Sequence, residues 1–157
     1  MSKYLILLRH AETEPLQNLM DDFNRQITRH GIDQAAEAAL KIRTMITEPA
    51  FIISSPAVRT QSTALIVASA LNFPIEHIRF STLLYEAEPE DFLHVINLFN
   101  KEFQTAIIVA HNPGISQTAA YLSDGSSVNL FPAGIIRIHF GENNWDSISR
   151  HSGTIVP

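Results

Sequence analysis

No cysteine occurs in the 157 residues. That absence excludes disulfides, thiolate metal sites and a cysteine nucleophile together, and it fits a reducing compartment. Missing too is any run near the roughly 18 apolar residues of a membrane span, so no membrane partner is expected. Arg9 comes too early to leave room for a signal peptide. Positive charge is scarce: 11 Lys and Arg against 16 Asp and Glu give a net charge of −5. With no clustered cations there is no field for nucleic-acid binding, and a pocket for an anion would have to be a local exception. The H-E-x-x-H spacing of a helical metal site is absent, as are repeats, low-complexity tracts and linkers. What remains, with 45% hydrophobic and 17% charged residues, is a globular chain whose length suits one domain over 1–157 and whose default location is cytoplasmic.

What is present is organised around YLILLRHAET, from Tyr4 to Thr13. Residues 4–8 have no polar face, so they read as a strand buried on both sides. It ends abruptly at Arg9 and His10, a permanent cation beside a titratable ring, which are costly to place together unless something anionic meets them. Residues 11–27 show no period, and Pro15 disfavours early helix, so this segment reads as a long surface loop. Thr28 then caps a helix with Ile32, Ala35, Ala36, Ala39, Leu40 and Ile46 at helical spacing, Gly31 a minor cost in its first turn and Pro49 following its end.

The pattern repeats. Residues 51–53 form a short buried strand, Ser55 caps the next helix with Pro56 at its first position, and Arg59 falls in its first turn. An edge strand is expected over 75–80, and a helix over 89–100 with Phe92, Val95, Ile96 and Phe99 on one face. Residues 106–110 make a third buried strand ending at His111, after which Asn112 and Pro113 open another helix as Ser55 and Pro56 do. The tail, AGIIRIHF followed by WDSISRH, reads as two strands joined by a turn over 141–144.

Strands alternating with helices predict an α/β fold with a mostly parallel sheet, in which ligands bind beyond the carboxyl ends of the strands. Arg9, His10, Arg59 and His111 all stand at such ends. Singly, each has an ordinary reading: a strand end, a solvated helix residue, a hydrogen-bonded loop histidine. Together they outline a pocket with two fixed and two conditional positive charges, suited to a phosphoryl dianion. Ser54, Ser55 and Asn112 read as caps first, and His30, His77, His94, His139 and His151 as structural or exposed.

RHAET, SSPAVRTQST and VAHNPG, each after a strand, resemble the histidine phosphatase superfamily. The short length, Ala11 after the Arg-His pair, LYEAEPEDF, HNPG and AGIIRI with Trp145 are most similar to the SixA-type phosphohistidine phosphatases. The resemblance implies a three-layer α/β/α sandwich of the phosphoglycerate mutase type and no metal or cofactor. It implies His10 as the nucleophile that becomes phosphorylated, with Arg9, Arg59 and His111 binding the phosphate. It also implies a charged His111 beside a neutral His10. A carboxylic acid protonates the leaving oxygen in relatives acting on alkyl phosphates; Glu86 lies in the corresponding region, with Glu12 and Glu14 as rivals, and Glu86 could equally be a loop carboxylate. Where the family most often has glycine this chain has Ala11, whose carbonyl can still orient the imidazole.

The expected partner is a phosphohistidine-bearing protein such as a phosphotransfer domain, because little chain is left to roof a small metabolite. A broad phosphatase of small phosphomonoesters is the alternative, and a non-catalytic phosphate-binding module the reading from another class.

Overall fold

The computed structural model describes residues 1–17, 19–46, 50–141 and 144–157. Its core is a six-stranded sheet formed by β1 (Tyr4–Arg9), β2 (Phe51–Ser54), β3 (Arg79–Phe80), β4 (Thr105–Ala110), β5 (Ile135–His139) and β6 (Thr154–Val156), in the order β3-β2-β4-β1-β5-β6. The first four strands run parallel to their partners, while β5 lies antiparallel to β1 and β6 antiparallel to β5. Because β1 and β4 lie at the middle of the sheet, alternate residues of each feed opposite layers. Leu5, Leu7, Ala106 and Ile108 pack with Phe92, Ile96, Ile115 and Trp145 on one side. Ile6, Leu8, Ile107 and Val109 pack with Ala39, Ile42, Ala64 and Val67 on the other. Burial on both faces is why these strands carry unbroken apolar runs rather than alternation.

Helices α1 (Arg29–Met45) and α2 (Val58–Ala70) cover the second layer; α3 (Pro89–Asn97) and α4 (Gly114–Leu122) cover the first. The result is an α/β/α sandwich around a mostly parallel sheet, as expected.

Helix α1 begins where the sequence places it, Thr28 Oγ1 accepting from the Gly31 amide at 2.9 Å. Its buried face differs from the expected one. Gly31, Ala35, Ala38, Ala39 and Ile42 point inward, whereas Ile32 and Leu40 are 48% and 60% exposed. Small side chains let α1 approach the sheet and α2 closely, and at Gly31 closeness is obligatory: a Cβ would run into the Glu12 carbonyl oxygen. That oxygen also accepts from the Thr28 amide at 2.9 Å, and the Glu12 carboxylate accepts from the Thr28 hydroxyl at 2.8 Å. The start of α1 is thereby fixed to the chain two residues beyond His10.

Several expected boundaries are corrected. Helix α2 starts at Val58 with no side-chain cap, because Ser55 directs its hydroxyl elsewhere; α4 starts at Gly114, beyond the cis Asn112–Pro113 bond. Of residues 75–80 only Arg79 and Phe80 pair with the sheet, after a 3₁₀ turn over Ile75–His77. The expected helix over 89–100 ends at Asn97. WDSISRH is not a strand: Trp145–Ser147 form a 3₁₀ turn that buries the indole, and the last strand is β6, which the pattern did not mark. The loop 11–27 carries a Thr13–Ile27 bridge and a 3₁₀ turn over Asp22–Asn24. Pro49 and the centre of the turn over 141–144 lie outside the described residues.

Candidate active site

Strands β1 and β4 are neighbours with Arg9 opposite Ala110, so the residues that follow them, His10 and His111, emerge side by side. Their ring centroids are 5.4 Å apart, and each residue is less than a tenth exposed. Two imidazoles this close share one environment, and burial dominates it. Desolvation pulls His10 down to about 4, only partly opposed by its bond to Ala11, with the charges of Arg59, Arg9 and Arg25 pressing the same way. His111 falls to about 3, again through burial first and then the charges of Arg59 and His10. Burial therefore favours the neutral form of both rings at pH 7, against the expectation that His111 stands charged beside a neutral His10.

The two rings are held differently. Nδ1 of His10 lies 2.7 Å from the Ala11 carbonyl oxygen, which can only accept, so Nδ1 carries the proton and the Nε2 lone pair is free. Ala11 does this outside the left-handed region, and its own amide donates to Thr63 Oγ1 at 3.1 Å. Alanine therefore meets the requirement without strain. On the other ring, Nε2 of His111 lies 2.7 Å from Ser55 Oγ, leaving Nδ1 buried with no partner among the described residues. Ser55 thus serves the histidine at the end of the neighbouring strand, with only a 3.4 Å contact from the Ala57 amide to suggest its expected capping role.

Arg59 reaches the same place from the first turn of α2, 5% exposed. Asp22 grips it twice: Nη1 donates to the Asp22 carbonyl at 2.8 Å and Nη2 to Oδ2 at 3.0 Å. The Tyr85 hydroxyl donates to the same Oδ2 at 2.8 Å, and Arg25 Nη2 lies 3.1 Å from Oδ1. Burial pushes the Asp22 carboxyl up, but the Tyr85 hydrogen bond and Arg59 outweigh it and hold it below its ordinary value. The Tyr85 phenol is raised by burial and by Asp22. Its ring stands edge-on to His111 at 5.4 Å and beneath the Arg59 guanidinium at 6.0 Å.

A cleft of about 540 Å³ opens here, walled by Arg25, Arg59, Tyr85, Glu86, Glu88 and His111. Neither His10 nor Arg9 is on that wall; His10 stands behind it, its ring 5.4 Å from that of His111. Arg9 Nη1 donates 2.9 Å to the Leu130 carbonyl, which also accepts from Asn112 Nδ2 at 2.9 Å, and burial lowers the pKa of Arg9. The Nε atoms of Arg9, Arg59 and Arg25 are buried without partners among the described residues. That of Arg137, far from the cleft on β5, is too, so an unpartnered Nε is telling only beside the unpartnered His111 Nδ1.

Sequence reasoning thus finds His10, His111 and Arg59 together, with Arg9 adjoining. Glu86 faces the cleft, exposed and at a positive φ of 55°. Of its rivals, Glu12 is committed to Thr28 and Glu14 does not reach the cleft; Glu88, which was not considered, does. Also missed were Asp22, Arg25 and Tyr85, which no spacing marks, because the 3₁₀ turn and the fold bring them in. Among the described residues no group of three His, Cys, Asp or Glu could hold a metal ion, and no helix is long and apolar enough to cross a membrane.

A crevice beyond the ends of parallel strands, lined by Arg25, Arg59 and His111, is suited to an anionic group. Residues 5–82 match the family model of the histidine phosphatase superfamily (branch 1), so this part of the chain, with Arg9, His10 and Arg59, is similar to that superfamily. A Mycobacterium leprae protein is 25% identical over 95% of this chain and 96% of its own length. The fold is similar to that of a SixA protein from Nakamurella multipartitia, at TM-score 0.81 and 22% identity over 100% of this chain and 95% of that one. It is similar to that of the protein histidine phosphatase SixA complexed with tungstate, at TM-score 0.80 and 19% identity over 98% and 94%. A mycobacterial glucosyl-3-phosphoglycerate phosphatase shares it at TM-score 0.71 and 14% identity over 99% and 97%.

Proposed function

We propose that this protein is a phosphatase in which His10 accepts a phosphoryl group and passes it to water. The observation that carries the reading is the fixed tautomer of His10: the Ala11 carbonyl accepts a hydrogen bond from Nδ1–H, which leaves an unprotonated Nε2 in a buried site beside guanidinium groups. Nε2 attacks phosphorus, the bond from phosphorus to the leaving atom breaks, and the leaving group departs with the electron pair. Water then attacks phospho-His10, releasing inorganic phosphate and restoring the lone pair. Arg59 and His111 border the cleft and Arg9 adjoins His10, so their free N–H groups are the donors for the three equatorial oxygens. With Ser55 donating to Nε2, His111 offers Nδ1–H while uncharged.

The likeness to proteins named for different substrates favours the broader activity on phosphate monoesters over a single dedicated one. Two carboxyl groups on the cleft wall, Glu86 and Glu88, support it, since an alkoxide leaving group needs a proton that a carboxylic acid can give. Phosphohistidine on a partner protein remains the substrate that the open cleft admits most easily, and its imidazole leaves already protonated.

Rapid quenching with labelled substrate should trap an alkali-stable, acid-labile phosphoenzyme that His10→Ala cannot form. Turnover or binding without that adduct would overturn the phosphatase reading. Glu86→Gln tested on a sugar phosphate and on a phosphohistidine protein separates the substrates. Loss confined to the ester marks Glu86 as its acid, and an unaffected ester removes Glu86 from the mechanism.

A further inference from the structure

At the opposite end of the sheet, where β2 begins, lies a second cavity larger than the active-site cleft. It measures about 920 Å³, within the range of small-molecule sites. Four phenylalanines wall it: Phe51 from β2, Phe73 from the turn after α2, and Phe99 and Phe103 from the segment after α3. All four are half-buried, and Phe51 packs against Phe99 and Phe103 at 5.0 and 5.6 Å, so the apolar wall is built before anything binds. Arg43 from the last turn of α1 and Arg79 from the start of β3 line the same cavity, both exposed and neither in an ion pair among the described residues. No Asp or Glu among the described residues lines it.

In a chain of net charge −5 this concentration of positive charge beside aromatic rings is a local inversion. Apolar area supplies the affinity of such a site, and a few placed charges set which ligand it accepts. We propose that this cavity binds a small aromatic anion, its ring against the phenylalanine wall and its carboxylate, sulfonate or phosphate between Arg43 and Arg79. A bare inorganic anion would leave the wall unused, and a neutral aromatic would leave both guanidinium groups in water.

Trp145, the sole tryptophan, reports on this wall: its ring meets Phe99 edge-on at 5.3 Å, and its Nε1 donates 2.9 Å to the Phe103 carbonyl. The probe is 1-anilinonaphthalene-8-sulfonate, titrated while following energy transfer from Trp145. One saturable site is expected, at least tenfold weaker in the double variant R43E/R79E and at least tenfold weaker for uncharged N-phenyl-1-naphthylamine. Both arginines are exposed, so the double variant should fold and keep wild-type phosphatase turnover. Inorganic phosphate should not displace the probe. Equal affinity in the double variant, equal affinity for the uncharged analogue, displacement by phosphate, or binding that never saturates would each overturn the proposal.

Discussion

The ends of β1 and β4 differ in a way that their sequences hide. Both strands are buried, both are followed directly by a histidine, and both rings are driven toward neutrality by the same desolvation. At the end of β1 the ring is held by the carbonyl of the next residue, and the nitrogen left over is an electron-pair donor. At the end of β4 the ring is held by a hydroxyl from the residue after β2, and the nitrogen left over can carry a proton toward the ligand. A carbonyl can only accept, whereas a hydroxyl can give or take. On the proposed function, the choice of second partner divides two like residues into an attacking group and a binding one.

Removing each ring in turn should expose that division most strongly. His10→Ala deletes the group proposed to form the covalent intermediate, so kcat should fall by about four or more orders of magnitude. His111→Ala removes one oxygen-binding donor, and a loss of roughly 10²- to 10³-fold is expected, with the phosphoenzyme still detectable in a quench experiment. If His111→Ala abolished the phosphoenzyme while His10→Ala retained it, the two roles would have to be exchanged.

Acid should act on both ends at once. Each ring's pKa lies below the unfolded value near 6.5, so between that value and the folded ones the unfolded chain binds more protons than the native protein. Stability contributed by these rings is therefore fully present above pH 6.5 and is lost as the pH falls toward 4 and then 3, roughly 3 kcal/mol for His10 and roughly 5 kcal/mol for His111. Proton-detected NMR of the free protein should show both imidazoles titrating far below pH 6, and added phosphate should raise both midpoints. Either ring titrating at 6.5 or above in the free protein would contradict the burial argument, and the comparison with His10→Ala unfolding curves would locate the error.

Asp22 offers a smaller and more pointed test. Its carboxylate holds the guanidinium of Arg59, so it both aims that group and opposes an incoming dianion. Two unit charges about 6 Å apart at an effective dielectric near 20 repel by roughly 3 kcal/mol, more than the net worth of one charge-assisted hydrogen bond at about 2 kcal/mol. Asp22→Asn keeps the backbone carbonyl contact and, from the difference of about 1 kcal/mol, should tighten inhibition by phosphate about fivefold. Weaker inhibition would mean that aiming outweighs repulsion.

The sequence-level expectations succeed where local chemistry is self-sufficient. Strands β1, β2 and β4 are apolar on both faces, Thr28 caps α1 within its own turn, and the residues that follow neighbouring parallel strands come together by topology alone. They fail where a distant contact decides. The inner face of α1 is set by how near it must come to Glu12 and α2, which favours Gly31 and Ala38 over Ile32 and Leu40. WDSISRH has strand-like spacing, but Trp145 turns inward to donate to Phe103, and the three-residue edge strand β6 is too short to show a period. Asp22 sits in a segment without pattern because its three partners come from α2, from the stretch before α3 and from its own turn.

The finest test of the two strand ends leaves both histidines in place and removes only what holds them. Ser55→Ala deletes the hydroxyl on His111, one hydrogen bond worth about 1 kcal/mol, so substrate affinity should weaken roughly fivefold with kcat little changed. Thr63→Val deletes the acceptor for the Ala11 amide but not the Ala11 carbonyl that holds His10. A buried N–H left unpaired costs about 1 to 3 kcal/mol, so this variant should melt earlier and yet turn over almost normally once folded. The contrast is direct because Thr63 also donates 2.8 Å to the Arg59 carbonyl, so any slackening of α2 would appear in both KM and stability. Should Thr63→Val instead lower kcat more than Ser55→Ala, the orientation of His10 would depend on the whole Ala11 peptide rather than on its carbonyl alone.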